Sequence, residues 1–283
     1  MKIVTDCAAD MPAEELAELG IIQAPLYIHF PEGEVNSADI SADEFYNRLE
    51  ALQPEIPTTS QPSPGLLASI YRKLSAAGEQ VLSIHLSSGL SGTVHAAQAA
   101  AQEVAAGQVT VWDTLTLSGG ERFQVLLAAL AAQAGATVQA IQARLARLRQ
   151  RVEVVYTLDT LDYLARGGRI GRVKALAGAL LHLKPVIRVD SDGKYSTVAS
   201  ARTLARSLEA IADHLIEKFA QTPLWVTVLH GRMAPQAEAL ADLLSKRLKV
   251  ARLEVMRISP VLGVHTGPGI VGAAVVPVEL MTI

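Results

Sequence analysis

Three short polar segments interrupt an otherwise aliphatic chain, and each carries groups able to hold an anion: Thr58-Thr59-Ser60-Gln61-Pro62, Ser87-Ser88-Gly89-Leu90-Ser91-Gly92-Thr93 and Gly263-Val264-His265-Thr266-Gly267-Pro268-Gly269. In the first, Thr59 and Ser60 offer hydroxyl donors, although Pro57, Pro62 and Pro64 also mark an ordinary surface loop rather than a regular element. In the second, Ser and Thr suit the N-cap of a following helix. Capping is compatible with anion binding, because a helix start presents unpaired N–H groups and the positive end of its dipole. Gly89 and Gly92 would let a ligand approach the backbone, while Ser91 and Thr59 would donate to a carboxylate or phosphate. In the third, a lone His is more often a satisfied structural residue than a site, but His265 reads as part of a glycine-flanked loop rather than an apolar face, which leaves the two roles equally open. Arg169 and Arg172 lie in the Gly-rich turn Gly167–Arg172, and Arg202 begins a helix. Solvated surface charge is their ordinary role; near a ligand mouth they would instead neutralise a phosphate or dock an acidic partner.

Other chemistries find less support. Gly267-Pro268-Gly269-Ile270-Val271-Gly272 fits the spacing G-x-G-x-x-G. A dinucleotide fingerprint also needs a strand before it, a helix after it and an acidic residue about 20 positions on, whereas Ala273–Val278 reads as a strand. Gly89-Leu90-Ser91-Gly92-Thr93 approaches the nucleophile elbow G-x-S-x-G but closes on Thr93. A hydrolase or phosphotransferase built on Ser91 and His265 stays open as an alternative, since triads tolerate varied chain order. There is no G-x-x-x-x-G-K-[ST] segment, which argues against a P-loop kinase. His29, His85, His95, His182, His214, His230 and His265 contain no H-x-x-x-H or H-x-H pair, so no metal site is expected.

The elements that must position these segments alternate through the first half. Ile3–Thr5 reads as a buried strand, Met11–Leu19 as a helix with Pro12 at its start, and Ile21–Phe30 as one extended run. Ala42–Leu52 is helical with Ser41 or Asp43 near its N-cap. A helix then runs to Ala77, followed by a strand at Gln80–Leu86, a helix at Val94–Ala106 and a strand at Gln108–Trp112. Helices over Gly119–Ala134 and Thr137–Gln150 complete a pattern that implies a parallel sheet flanked by helices. After Val152–Thr157, two short helices surround the Gly-rich turn, and Lys184–Val189 with Lys194–Ala199 forms a hairpin about Asp192-Gly193. Helices at Ala201–Ala220 and Ala234–Leu248 then alternate with strands at Leu224–His230 and Val250–Ile258. This second rhythm suggests a mixed or antiparallel sheet with helices on one side. The fold expected is therefore α/β with two domains, 1–152 and 153–283.

Composition bounds the function. At 283 residues the chain suits two domains rather than one small core, and with 50% hydrophobic and 19% charged residues it has ample material for burial. A net charge of −3 supplies no global field for nucleic acid. Cys7 is the single cysteine, which excludes an intramolecular disulfide and fits a reducing, cytoplasmic setting. The longest unbroken apolar run, Val125 to Ala132, is far short of the ~20 residues of a membrane span, and the N-terminus reads as a strand rather than a signal peptide.

Several of these motifs, taken in order, resemble the DegV family, whose members include the fatty-acid-binding subunits of bacterial fatty acid kinase. The markers are Ile3-Val4-Thr5-Asp6-Cys7-Ala8-Ala9-Asp10, Thr59–Pro62, Leu90-Ser91-Gly92-Thr93, Thr160-Leu161-Asp162-Tyr163-Leu164 running into Gly167-Gly168-Arg169-Ile170, Lys184-Pro185, and His265-Thr266-Gly267-Pro268-Gly269. The likeness spans essentially the whole chain. It implies a parallel-sheet N-terminal domain, a mixed-sheet C-terminal domain and a ligand carboxylate at their junction. By resemblance, Thr59 and Ser91 hydrogen-bond that carboxylate, with Ser60 and Gly92 beside them, and His265 lies near the head group. Arg169 or Arg172, and Arg202, match basic positions that work with a kinase subunit. One departure is Cys7, where family members usually carry Ser; a thiol is a weaker donor, so a head-group bond there would weaken. Thr114 likewise stands where Ser is usual.

What the resemblance implies is a binder without catalysis of its own and without a cofactor. Its ligand would be a long-chain fatty acid such as palmitate, stearate or oleate, presented to an ATP-binding kinase subunit, with transient membrane contact. A palmitate tail has roughly 15 carbons to shelter, a gross hydrophobic gain of about 12 kcal/mol before the cost of ordering the chain. The tail would thus supply affinity and the head group orientation. A lipid sensor with no kinase partner remains a further alternative.

Overall fold

The computed structural model describes residues 1–173 and 183–282, so His182 and the second short helix expected after the Gly-rich turn lie outside the described residues. Its first sheet has the order β2 (Ile22–Ala24), β1 (Lys2–Asp6), β6 (Val81–His85), β7 (Val109–Asp113), with every pairing parallel. β6 is buried at all five positions, as a parallel strand covered on both faces should be. On one face lie α3 (Pro64–Ala76) and α4 (Thr93–Gln102), where Ala96, Ala97 and Ala100 pack with Val4 and Val81. The remaining early helices, α1 (Ala13–Leu19) and α2 (Ala42–Ala51), start after Pro12 and Ser41; the Ser41 hydroxyl accepts the Glu44 N–H.

A small antiparallel sheet, β4 (Gly33–Asn36), β3 (Tyr27–Phe30) and β5 (Thr58–Ser60), departs from the sequence reading in two ways. The extended run Ile21–Phe30 is split at Pro25, which has no N–H for a ladder, and its halves enter different sheets. The Thr58–Ser60 stretch, read as a loop, is a strand: Thr59 lies opposite Ile28 and Ser60 opposite Tyr27. The flanking prolines bound this strand without entering it, and its β-branched threonines suit a ladder.

The third sheet has the order β10 (Tyr195–Ala201), β9 (Lys184–Val189), β8 (Glu153–Thr157), β13 (Val271–Pro277), β11 (Leu224–His230), β12 (Val250–Arg257). Only β11 and β12 pair in parallel, so the sheet is mixed. Alternation along its strands separates two faces. Val155, Ala273 and Val275 pack with α8 (Leu204–Phe219) and α9 (Ala234–Arg247) on the outer face. Val154, Tyr156 and Ala274 face inward, toward α5 (Ser118–Gln133), so helices cover both faces rather than the one expected. The close approach of α5 explains the difference. A Cβ at Gly119 would sit 2.6 Å from the Ala274 Cβ, and one at Gly120 2.6 Å from a Val154 methyl.

α5 also packs on β1 and β6, so it is shared by both large sheets and the core runs from Ile3 to Met281 without a break. Two polar clips cross the same layer. Arg122 of α5 forks onto Glu15 (2.7 and 2.9 Å) and also reaches Glu254 of β12. Asp10 accepts the Ser118 hydroxyl (2.5 Å) and the Ser259 N–H (2.7 Å), tying the starts of α5 and the last helix, α10 (Pro260–Thr266), to the 3-10 turn that follows β1. α6 (Val138–Arg149) flanks α5, and α7 (Asp162–Arg166) packs on α10.

Candidate ligand cavity

A cavity of about 260 Å³ opens in the layer between the sheets, lined by residues from β5, β8, β13, α10 and the loops beside them. Its walls are aliphatic through Leu26, Leu86, Leu117, Leu229, Ile258 and Leu262, while Thr59, Ser60, Gln61, Ser91, Arg169 and His265 gather as its polar lining. The cavity therefore suits a ligand with a long apolar body and a polar terminus.

Thr59 and His265 meet although 206 residues separate them, with Thr59 Oγ1 2.8 Å from His265 Nε2. The meeting is built by two elements that the sequence pattern concealed. β5 holds Thr59 in register on β3, and α10 packs against β3 and β5. His265 belongs to the last turn of α10, not to a loop: Pro260 starts the helix and Gly267, at φ 70°, ends it. Loss of hydration, helped by the nearby Arg169 guanidinium, lowers the His265 pKa to about 4, so the ring is neutral near pH 7. Its Nδ1 is buried without a hydrogen-bond partner. A neutral ring carries one N–H, and placing it on Nδ1 would strand a donor. The proton therefore belongs on Nε2, which donates to Thr59 Oγ1 and leaves the Thr59 O–H free to donate to a ligand oxygen. The place of the ring depends on Gly167, where a Cβ would lie 2.3 Å from Nδ1.

Ser91 sits on the turn entering α4, with its hydroxyl 2.8 Å from Thr93 Oγ1 and accepting the Thr93 N–H at 3.3 Å. The turn is braced by Asp113, which accepts the N–H groups of Ser88 (3.2 Å) and Leu115 (3.0 Å). Gly92 caps α4 but does not line the cavity. A Cβ there would lie 2.3 Å from Gln61 Oε1, so its bareness admits Gln61, which does. Ser60 lines the cavity while bonding His29 Nε2 at 2.7 Å.

The arginines divide. Arg169 lines the cavity and donates to the carbonyls of Gly167 (2.7 Å) and Leu90 (3.4 Å). Arg172 is half exposed, paired with Asp192 and 3.9 Å from Asp190, and faces an adjoining groove. Arg202 is exposed between β10 and α8 and lines neither. Cys7 is buried away from the cavity; its thiol, pushed up to about 12 by burial, donates to the Ala24 carbonyl at 3.6 Å. The weaker donor at position 7 therefore does not face the cavity. Gln61, Ser118, Tyr156 and Tyr195 also line the cavity and were not anticipated. Gln61 lay inside the first polar segment, but the tyrosines come from sheet register, which no local signal announces.

Ser91 and His265 share no hydrogen bond, since Thr93 occupies the one and Thr59 the other. Among the described residues no group of three or more His, Cys, Asp or Glu could hold a metal ion, and no helix is long and apolar enough to cross a membrane.

The fold and site define an α/β protein with a parallel and a mixed sheet around an aliphatic cavity that carries hydroxyl, amide and imidazole groups. A model of the DegV family, described as an uncharacterised protein family, matches residues 1–278. The chain belongs to the DegV family. A DegV domain-containing protein of Deinococcus radiodurans is 36% identical over 277 residues, covering 97% of this chain and 95% of the relative. A fatty-acid-binding DegV family protein from Thermus thermophilus superposes with a TM-score of 0.92 at 33% identity, over 98% of this chain and 99% of that one. A stearic-acid-binding protein from Eubacterium ventriosum does so with a TM-score of 0.89 at 25% identity, over 100% and 99%.

Proposed function

We propose that the chain binds one long-chain fatty acid of the palmitate, stearate or oleate type in this cavity and presents its carboxylate to a separate ATP-binding kinase subunit, which converts it to an acyl phosphate. The observation that carries this reading is the Thr59–His265 pair in an otherwise aliphatic cavity. Thr59 and Ser91 donate to the carboxylate, His265 fixes the direction of the Thr59 hydroxyl, and Ser60 and Gln61 complete the surround, with Gly92 acting through the room it leaves for Gln61. Neutral donors suit a carboxylate that must change charge and shape when phosphorylated, because a bidentate arginine clamp would hold the substrate form. Arg169, Arg172 and Arg202 are assigned to the phosphate or to the kinase subunit. The reading includes a division at 152/153, a cytoplasmic setting and brief contact with membrane lipid during loading. The fatty-acid binding of the Thermus thermophilus and Eubacterium ventriosum relatives supports the ligand class.

The test is a palmitate titration of the wild type and of the variant combining Thr59→Ala with Ser91→Ala. Sharply weakened binding in the variant is expected, and unchanged affinity contradicts the head-group assignment. For the kinase step, palmitate-loaded protein should form acyl phosphate from ATP only when a kinase subunit is added; turnover by the chain alone contradicts it.

A further inference from the structure

A second concavity of about 370 Å³ adjoins the acyl cavity and shares Leu90, Arg169 and Tyr195 with it. Its remaining wall is Gly89, Gly168, Gly171, Arg172 and Lys194, so it combines three cations with three glycines. The local geometry accounts for this composition. The turn of the β9–β10 hairpin docks on the loop before α4, with the Ser87 hydroxyl donating to the Gly193 carbonyl at 2.7 Å. The Lys194 stem then crosses Gly89, where a Cβ would lie 2.9 Å from its Cγ. Across the groove, Gly168 and Gly171 take φ of 73° and 46°, and the space a Cβ would occupy at each is open. Bare backbone and unfilled space beside cations suit a compact anion rather than a side chain.

The charges are not all spoken for. Arg172 is matched by Asp190 and Asp192. Arg169 donates only to carbonyls, and among the described residues neither it nor Lys194 forms an ion pair. Two uncompensated cations exceed the single charge of a carboxylate, whereas a phosphate monoester carries about −1.5 to −2 at neutral pH.

We propose that this groove is the seat of the phosphoryl group of the acyl phosphate, with Lys194 and Arg169 as its counter-charges, an inference that rests on the fatty-acid reading of the adjoining cavity. In the reaction, a carboxylate oxygen attacks the γ-phosphorus of ATP held by the kinase subunit. The new C–O–P linkage forms, the bond from the γ-phosphorus to the β,γ-bridging oxygen breaks, and ADP leaves with the electron pair. The groove then holds the product's phosphate while its tail stays in the acyl cavity.

The test compares palmitate with the methylene-bridged phosphonate analogue of palmitoyl phosphate, each titrated into the wild type and Lys194→Ala. Lys194 is exposed and lies outside the acyl cavity, and thermal unfolding of the variant checks that it folds as the wild type does. Loss of one charge-assisted contact should weaken the analogue about tenfold while leaving palmitate within about twofold. Lys194→Arg should restore most of the loss. Equal weakening of both ligands, or of neither, overturns the groove assignment with the fatty-acid reading intact. A wild type that fails to bind palmitate overturns both.

Discussion

Two histidines, each bonded to a hydroxyl residue, show how the molecule separates fold from site. His85 is fully buried: Nδ1 meets Asp6 at 2.9 Å, Nε2 meets Ser83 at 2.8 Å, and Ser83 meets Tyr71 at 2.8 Å. Asp6 also accepts the N–H groups of Ala8 (3.0 Å) and Leu86 (3.1 Å). The side chains of Asp6, His85, Ser83 and Tyr71 do not line the acyl cavity. The order Asp–His–Ser resembles a catalytic relay, yet its serine is enclosed and held by a tyrosine, so it reaches no substrate. His265 is the converse, with one nitrogen on Thr59, the other unpartnered, and the ring at a cavity. A completed buried network specifies the packing around it; an incomplete one at a cavity is left for a ligand to finish.

The largest effect expected from this contrast is on stability. His85→Ala leaves the Asp6 carboxylate buried without its partner, a loss of about 3–5 kcal/mol in urea unfolding. His265→Ala should cost far less stability, and a similar cost for both would erase the distinction. The reverse ordering should hold for ligand affinity. The combined Thr59→Ala and Ser91→Ala variant removes two donors to a charged group and should weaken palmitate about a hundredfold, whereas a conservative change in the enclosed relay, Tyr71→Phe, should leave affinity unaltered. Smaller is the effect of Gly167→Ala, whose new methyl displaces the imidazole from its contact with Thr59. Affinity should fall severalfold with little change in the unfolding midpoint; a fall in stability alone would mean that the ring position is not what Gly167 protects.

A finer test uses pH. The His265 pKa is about 4 in the fold against 6.5, so between these values the unfolded chain binds more protons and stability falls as pH drops. Asp10 has the opposite sense: burial raises it from 3.8 to about 6, the fold binds the extra proton, and stability rises as pH drops through that window. The two offset each other between about pH 4 and 6. Asp10→Asn removes one side, so the variant's stability should decline more steeply with acid than the wild type's. Parallel curves would contradict the assignment of either shift.

Much of this architecture is legible in the sequence because its signals are local. Alternating strands and helices announce the parallel sheet, and Asp192-Gly193 announces the β9–β10 hairpin. What escapes depends on contacts made far along the chain. Gly119 and Gly120 look like weak helix residues until Ala274 and Val154 are set against them. The prolines around Thr58–Ser60 conceal a strand that exists only as a partner of β3, and the glycines around His265 conceal a helix turn. Thr59, Ser91 and His265 stand out as polar residues in aliphatic surroundings. Nothing near Tyr156 or Tyr195 indicates that sheet register turns both toward the cavity, and nothing near Gly92 indicates that its missing side chain makes room for Gln61.

The central claim, that this cavity holds a fatty acid, is tested most directly by native mass spectrometry of the freshly purified protein, followed by denaturation and lipid extraction. One long-chain fatty acid per chain is predicted, with the ligand-bound species depleted in the combined Thr59→Ala and Ser91→Ala variant. A wild type that carries no lipid and takes up none from added palmitate would contradict the account.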